Sequence, residues 1–120
     1  MYIFRILYMD ELNFKGKLYL QVGDIRAIGP GRVELLERIN STGSIRQAAL
    51  QMQMSYRQAW ENVDEMNSVF AEPLVTSVRG GKGGGKAEIT TKGLQLIKLF
   101  KEVHSSFQEF LQEQTLKIEC

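Results

Sequence analysis

Residues Ser44 to Phe70 read SIRQAALQMQMSYRQAWENVDEMNSVF, and the pattern of this stretch sets the fold expected of the whole chain. Ser44 and Ser55 each stand directly before a run of helical periodicity, where a serine oxygen can accept from the free N–H groups of a first helical turn. Ile45, Ala48, Ala49 and Met52 recur at helical spacing, and so do Ala59, Val63, Met66 and Phe70. Each helix therefore carries one apolar face. The first helix is short, and the second is longer and is ended by Pro73. Two such helices joined by a tight turn, with small residues such as Ala48 and Ala49 at the contact, have the dimensions of a helix-turn-helix. Plain packing of two helices would leave the same pattern, and the turn lacks a glycine.

If Ala59, Val63 and Met66 point inward, then Ser55, Tyr56, Arg57, Gln58 and Glu61 point away from the core near the start of the second helix. Arginine and glutamine can make paired hydrogen bonds to the major-groove edges of guanine and adenine. These residues are the expected reading face. Ser44, Arg46 and Gln47 on the preceding helix join the same interface, placed for the phosphate backbone.

Downstream, Leu74 to Arg79 and Ala87 to Thr90 are rich in β-branched residues and flank Gly80-Gly81-Lys82-Gly83-Gly84-Gly85-Lys86. The simplest reading is a β-hairpin with a glycine-rich, basic tip. Arg79, Lys82 and Lys86 would lie against phosphate or in the minor groove. A rival reading is a phosphate-binding P-loop, because two glycines stand at the required interval before Lys86. Ala87 replaces the magnesium-binding hydroxyl of that motif, and the following residues read as strand, with a helix starting only at Thr91.

Outward from this centre, Gly29-Pro30-Gly31 is a turn opening a helix with Val33, Leu36 and Ile39 on one stripe. That helix is expected to stop at Asn40-Ser41-Thr42, with Gly43 as a left-handed cap. Leu18, Leu20 and Val22 alternate with Tyr19 and Gln21 in a strand expected to pair with residues 3 to 8. At the other end a long amphipathic helix runs from Thr91 to about Gln114, its apolar face drawn through Leu94, Ile97, Phe100 or Lys101, His104, Phe107 and Leu111. A helix of that length needs a partner surface.

The chain has 120 residues, 43% of them hydrophobic and 24% charged, which suits one globular domain. The net charge of +1 decides nothing, because attraction to phosphate is local. The single cysteine, Cys120, excludes an internal disulfide, and the short apolar opening lacks a basic leader and a cleavage site. No run of about 18 apolar residues suggests a membrane span, so a cytoplasmic location is expected. His104 has no second histidine to share a metal, so it reads as a core or dimer-interface residue. Trp60 reads as a residue at the edge of the core, and Glu34, Glu37, Asp64 and Glu65 as solvated surface. No nucleophile, base and orienting group are spaced for catalysis, so neither an enzyme nor a cofactor is expected.

Taken together, Ser44-Ile45-Arg46-Gln47-Ala48-Ala49, Ser55-Tyr56-Arg57-Gln58-Ala59-Trp60, Glu65-Met66-Asn67 and Gly80-Gly81-Lys82-Gly83-Gly84-Gly85 are specific. They resemble the N-terminal DNA-binding domain of ModE-type, molybdate-responsive regulators, which are winged-helix relatives of the LysR type. The likeness runs from about Arg32 to Leu111. It implies an α+β fold, a winged helix-turn-helix at 30–90 with a hairpin wing, an N-terminal strand-like extension at 1–29 and a dimer helix at 91–114. It also implies double-stranded DNA as partner, bound by a homodimer at a palindromic operator. ModE-type proteins bind molybdate in C-terminal domains, which the 120 residues do not contain, so a molybdate response is not carried over; a separate effector protein or another ligand is left open. The alternative is a protein-interaction module without direct DNA binding.

Overall fold

The computed structural model describes residues 12–78 and 85–119. The elements follow in the order β1 (Leu20–Val22), β2 (Ile25–Ile28), α1 (Pro30–Thr42), α2 (Ile45–Gln51), α3 (Tyr56–Val69), β3 (Val75–Val78), β4 (Lys86–Ile89) and α4 (Thr91–Thr115). The fold is α+β, with two separate two-stranded antiparallel sheets among the described residues. None of its helices there is long and apolar enough to cross a membrane.

The expected strand at 17–22 forms over Leu20–Val22, and its observed partner is β2, reached through Gly23 in a left-handed turn with φ 60°. Residues 3–8, the partner expected from sequence, lie outside the described residues. Leu18, Leu20 and Val22 pack on the core while Tyr19 and Gln21 are exposed, as their alternation requires. The Arg26 guanidinium lies over the Tyr19 ring at 4.8 Å.

Helix α1 is the centre of the core. Pro30 stands in its first turn, where the fixed φ and missing N–H of proline are compatible with a helix start. The stripe of Val33, Leu36 and Ile39 is buried as expected, and Leu35 is buried beside it, so α1 is covered on a broader face than a surface helix. The helix does not stop at Asn40. It continues to Thr42 because the Ser41 and Thr42 hydroxyls donate to the Arg38 carbonyl, at 3.2 and 2.7 Å, and so follow the helix rather than leave it. Gly43 then caps it at φ 70°, its N–H donating to Ile39 O at 2.7 Å.

Three of the acidic residues read as surface are engaged in ion pairs. Glu34 pairs with Arg38 at 2.9 Å, Glu37 with Lys101 at 2.7 Å and Glu65 with Arg32 at 2.7 Å. Glu37–Lys101 links α1 to α4, an attachment that charge counting along one helix could not reveal.

Strands β3 and β4 pair from Val75↔Ile89 to Val78↔Lys86. They are four residues each, and a two-stranded hairpin of this size is marginal in water by itself. It is held on both strands. The Asn67 carboxamide of α3 accepts from Leu74 N at 2.8 Å and Val75 N at 3.2 Å and donates to Val75 O at 2.8 Å. On the other strand, Ala87 N donates to Gly43 O at 2.9 Å.

Thr90 caps α4, accepting from Gly93 N at 3.0 Å, and its backbone N–H donates to Leu74 O at 2.9 Å. The buried face of α4 is Gly93, Leu96, Ile97 and Phe100. This corrects the expected stripe at Leu94, which is exposed, because close seating of Gly93 against the Leu74 carbonyl turns the helix so that Leu96 enters the core; of the alternatives Phe100 and Lys101, Phe100 is buried and Lys101 faces outward to Glu37. His104 stacks on Phe100 with ring centroids 6.0 Å apart, and Phe107 and Leu111 are half-buried.

Two stability changes follow from these contacts. A methyl group at Gly93 would stand 2.6 Å from Leu74 O and 2.7 Å from Ile89 Cγ2. Gly93→Ala should therefore lower the free energy of unfolding by about 1–3 kcal/mol, despite the better helix propensity of alanine. Asn67→Ala removes three hydrogen bonds to a buried chain segment and should cost about 2–3 kcal/mol. Denaturant titration of each variant against the parent checks both; an unchanged midpoint would contradict the contact concerned.

Candidate nucleic-acid interface

The connection between α2 and α3 is short because one residue adopts a conformation usually left to glycine. Gln53 has φ 56°, and on either side of it Met52 N donates to Ala48 O at 3.1 Å and Met54 N donates to Ala49 O at 3.0 Å. The glycine that the sequence lacks is thus replaced by a polar residue in the left-handed region, at a modest cost in strain. Ala48, Ala49 and Ala59 are buried where the helices meet, and their small side chains let the two axes approach.

Both expected caps form. Ser44 Oγ accepts from Gln47 N at 3.1 Å and Ser55 Oγ accepts from Gln58 N at 3.0 Å. With Ala59, Val63 and Met66 buried, Ser55, Tyr56, Arg57, Gln58 and Glu61 are all exposed on α3. Phe70, expected to extend the buried face, is only partly buried, because α3 ends there and the chain turns into extended backbone.

The exposed polar side chains are ordered among themselves. Arg57 Nε donates to Glu61 Oε1 at 3.1 Å, one helical turn on, while the arginine side chain stays 88% exposed. A pair so exposed contributes about 0.3–0.5 kcal/mol and exchanges readily for another acceptor. The Gln58 amide donates to Asn62 Oδ1 at 3.1 Å. Arg46 of α2 lays its guanidinium over the Tyr56 ring at 4.8 Å, which fixes both side chains at the junction of α2 and α3.

One cleft collects much of the expected site. It is lined by Ser44, Arg46, Gln47 and Tyr56, and by Ser77, Gly85 and Lys86 of the hairpin. Ser44, Arg46, Gln47, Tyr56 and Lys86 are thus brought together, and Ser55, Arg57, Gln58 and Glu61 continue the surface along α3. Arg79 and Lys82 lie outside the described residues. Trp60 is 49% exposed and borders a shallow depression with Val63, Asn67, Val75 and Ser77, between α3 and the hairpin base. Sequence reasoning missed Arg32, Asn62 and Asn67, whose partners lie elsewhere in the chain.

The rival P-loop geometry is not found, because Lys86 opens strand β4 and the next helix begins only at Thr91. Among the described residues no three histidine, cysteine or acidic side chains are grouped to hold a metal ion.

No protein-family model matches the chain. Individual proteins do. It is 33% identical over 103 residues to the molybdenum transport protein ModE of Azotobacter vinelandii, a match covering 86% of this chain and 38% of that protein. To the molybdenum-pterin-binding protein MopB of Rhodobacter capsulatus it is 40% identical over 84 residues, covering 70% of this chain and 31% of that one. To the DNA-binding transcriptional dual regulator ModE of Escherichia coli strain K12 it is 44% identical over 71 residues, covering 59% and 27%. None of these names is that of an enzyme. The chain spans about a third of the length of these relatives. Over that length it fits an N-terminal domain fragment of ModE-type proteins.

Proposed function

We propose that the chain is a single winged helix-turn-helix domain that binds operator DNA in the cytoplasm as a homodimer and serves transcription regulation. In this reading α2 and α3 are the helix-turn-helix, α3 enters the major groove, and the hairpin β3–β4 is the wing. The observation that carries it is the cleft in which Arg46, Gln47 and Tyr56 of the helix pair face Lys86 of the hairpin, continuous with the exposed start of α3. The names of the relatives support it, since one is called a DNA-binding transcriptional regulator. Arg57 and Gln58 supply the side chains suited to guanine and adenine edges. Ser44, Arg46, Gln47, Ser55, Tyr56 and Glu61 surround them as contact or positioning groups, and Arg79, Lys82 and Lys86 supply phosphate contacts that carry no sequence information.

Dimerisation is supported by shape. The Cα radius of gyration is 18.8 Å, against about 14 Å for a compact chain of this length. Helix α4 contributes to this extension, and it exposes Leu99, Val103 and Phe110, while Leu18, Tyr19 and Leu20 with Leu96, Phe100 and Val103 line an apolar groove at its side. For two α3 helices to enter successive major grooves, a two-fold dimer through this face must set them about 34–36 Å apart, one turn of DNA. The same exposed face favours the second reading, an interaction module that does not touch DNA.

Selection of genomic fragments by the purified protein, followed by gel shift at several salt concentrations, separates the two. DNA binding predicts enriched palindromic half-sites and affinity that falls with salt; no shift at any salt would leave only the interaction module. In the same assay Arg57→Ala should lose about 1–3 kcal/mol of preference at one base pair. Lys86→Ala or Lys82→Ala should instead weaken specific and random duplexes alike and reduce the salt slope by about one. Equal losses on specific and random DNA for Arg57→Ala would remove Arg57 from the reading face.

A further inference from the structure

Residues 58, 62 and 65 are spaced four and three apart on α3, so they share the stripe that looks toward Arg32 in the first turn of α1. Arg32 is bound to three partners from two other parts of the chain. Its Nη1 donates to Ala27 O of β2 at 3.0 Å and lies 2.7 Å from Glu65 Oε1, while Nη2 donates to Asn62 Oδ1 at 3.4 Å. The arginine side chain is only 21% exposed. Glu65 offsets its charge internally, so it is not placed as a phosphate contact.

A guanidinium has donors and no acceptor. Asn62 must therefore turn its oxygen, not its NH2, toward Arg32. The same oxygen is the one that Gln58 meets, and it can only accept, so Gln58 must present its own NH2 to it, as observed at 3.1 Å. One donor-only side chain thus sets the polarity of two amides in series. With one Nε2 hydrogen committed to Asn62, Gln58 keeps a carbonyl oxygen and one N–H, the acceptor–donor pair that matches the N6 amino group and N7 of adenine.

We propose that Arg32 and Asn62 are positioning residues for base reading: they hold the Gln58 amide oriented before DNA arrives, and through it select A·T at one operator position. This inference rests on the proposed DNA-binding function. Neither residue touches the base; their effect passes through Gln58.

The test measures, in gel shift, the ratio of affinities for the selected operator and for duplexes altered one base pair at a time, with a random duplex and the thermal midpoint alongside. Gln58→Ala locates the position it reads, where the selected base pair should be A·T. Asn62→Ala should reduce the preference at that position by about fivefold or more, with random-duplex affinity unchanged. Asn62→Asp keeps the acceptor for both Arg32 and Gln58, so it should retain the preference even though its added charge weakens all duplexes. The double variant Gln58→Ala/Asn62→Ala should lose no more preference than Gln58→Ala alone. The inference is overturned if Asn62→Ala leaves the preference intact, if it lowers specific and random binding together, or if the two losses add. A parent protein that shifts no duplex would overturn the DNA-binding proposal itself, a failure seen before any variant is compared.

Discussion

The hairpin could not hold its place without the bonds made by Asn67 and Gly43, and the geometry of the cleft follows from that. Two four-residue strands bury little more than Val75 and Ala87, too little apolar surface to keep a free hairpin folded. The Asn67 carboxamide secures the entering strand to α3, and the Gly43 carbonyl secures the returning strand to the turn between α1 and α2. Gly43 can do this because its left-handed backbone ends α1 through Ile39 and leaves its own carbonyl free for Ala87. The same two attachments set Lys86 opposite Arg46 and Tyr56. Without them Lys86, at the start of β4, would have no defined relation to α3.

Mechanically, α3 is divided along its faces. Its buried side is made of Ala59, Val63 and Met66, and the alanine brings the helix close to α2. Its outer side is held by groups that are easily rearranged, such as the exposed Arg57–Glu61 pair, and by one that is not, the Asn62 oxygen under Arg32. The proposed reading face thus combines an arginine in an exposed ion pair with a glutamine amide whose polarity is set by Asn62. The arginine can leave Glu61 for a guanine edge or a phosphate at little cost; an amide oriented before binding has less conformational entropy to lose.

Much of this was legible in the sequence where the chemistry is local. Ser44, Ser55 and Gly43 take the capping roles that their types and spacing dictate, because a cap is decided within three or four residues. The inward face of α3 and the hairpin strands were legible for the same reason. Phase errors arose where tertiary contact overrides periodicity: Gly93 sits against the Leu74 carbonyl, so Leu96 rather than Leu94 is buried. The pairing of β1 with β2 was not legible because Gly23-Asp24 is a brief turn signal. Asn62 and Asn67 look like ordinary polar helix residues in the sequence. Their partners lie 30 residues back and seven or eight residues on, across a chain reversal, and no periodicity marks such bonds.

Helix α4 shows why the proposed dimer and the reading face would be mechanically linked. Beyond Phe100 none of its described residues is fully buried, and its outer turns are covered only in part, by a segment in which Phe14 N donates to Thr115 Oγ1 at 2.9 Å and Gly16 lies against Phe107. Its first turns are different, being seated on Leu74 through Thr90 and Gly93 and on α1 through Lys101 and Glu37. Leu74 is also where Asn67 grips the hairpin. A second copy docked on the exposed face of α4 would therefore act on a helix whose base is joined, through one residue, to both α3 and the hairpin. Because Leu74 is held by Thr90 on one side and by Asn67 on the other, a displacement of α4 at its base would reach α3 and the hairpin together.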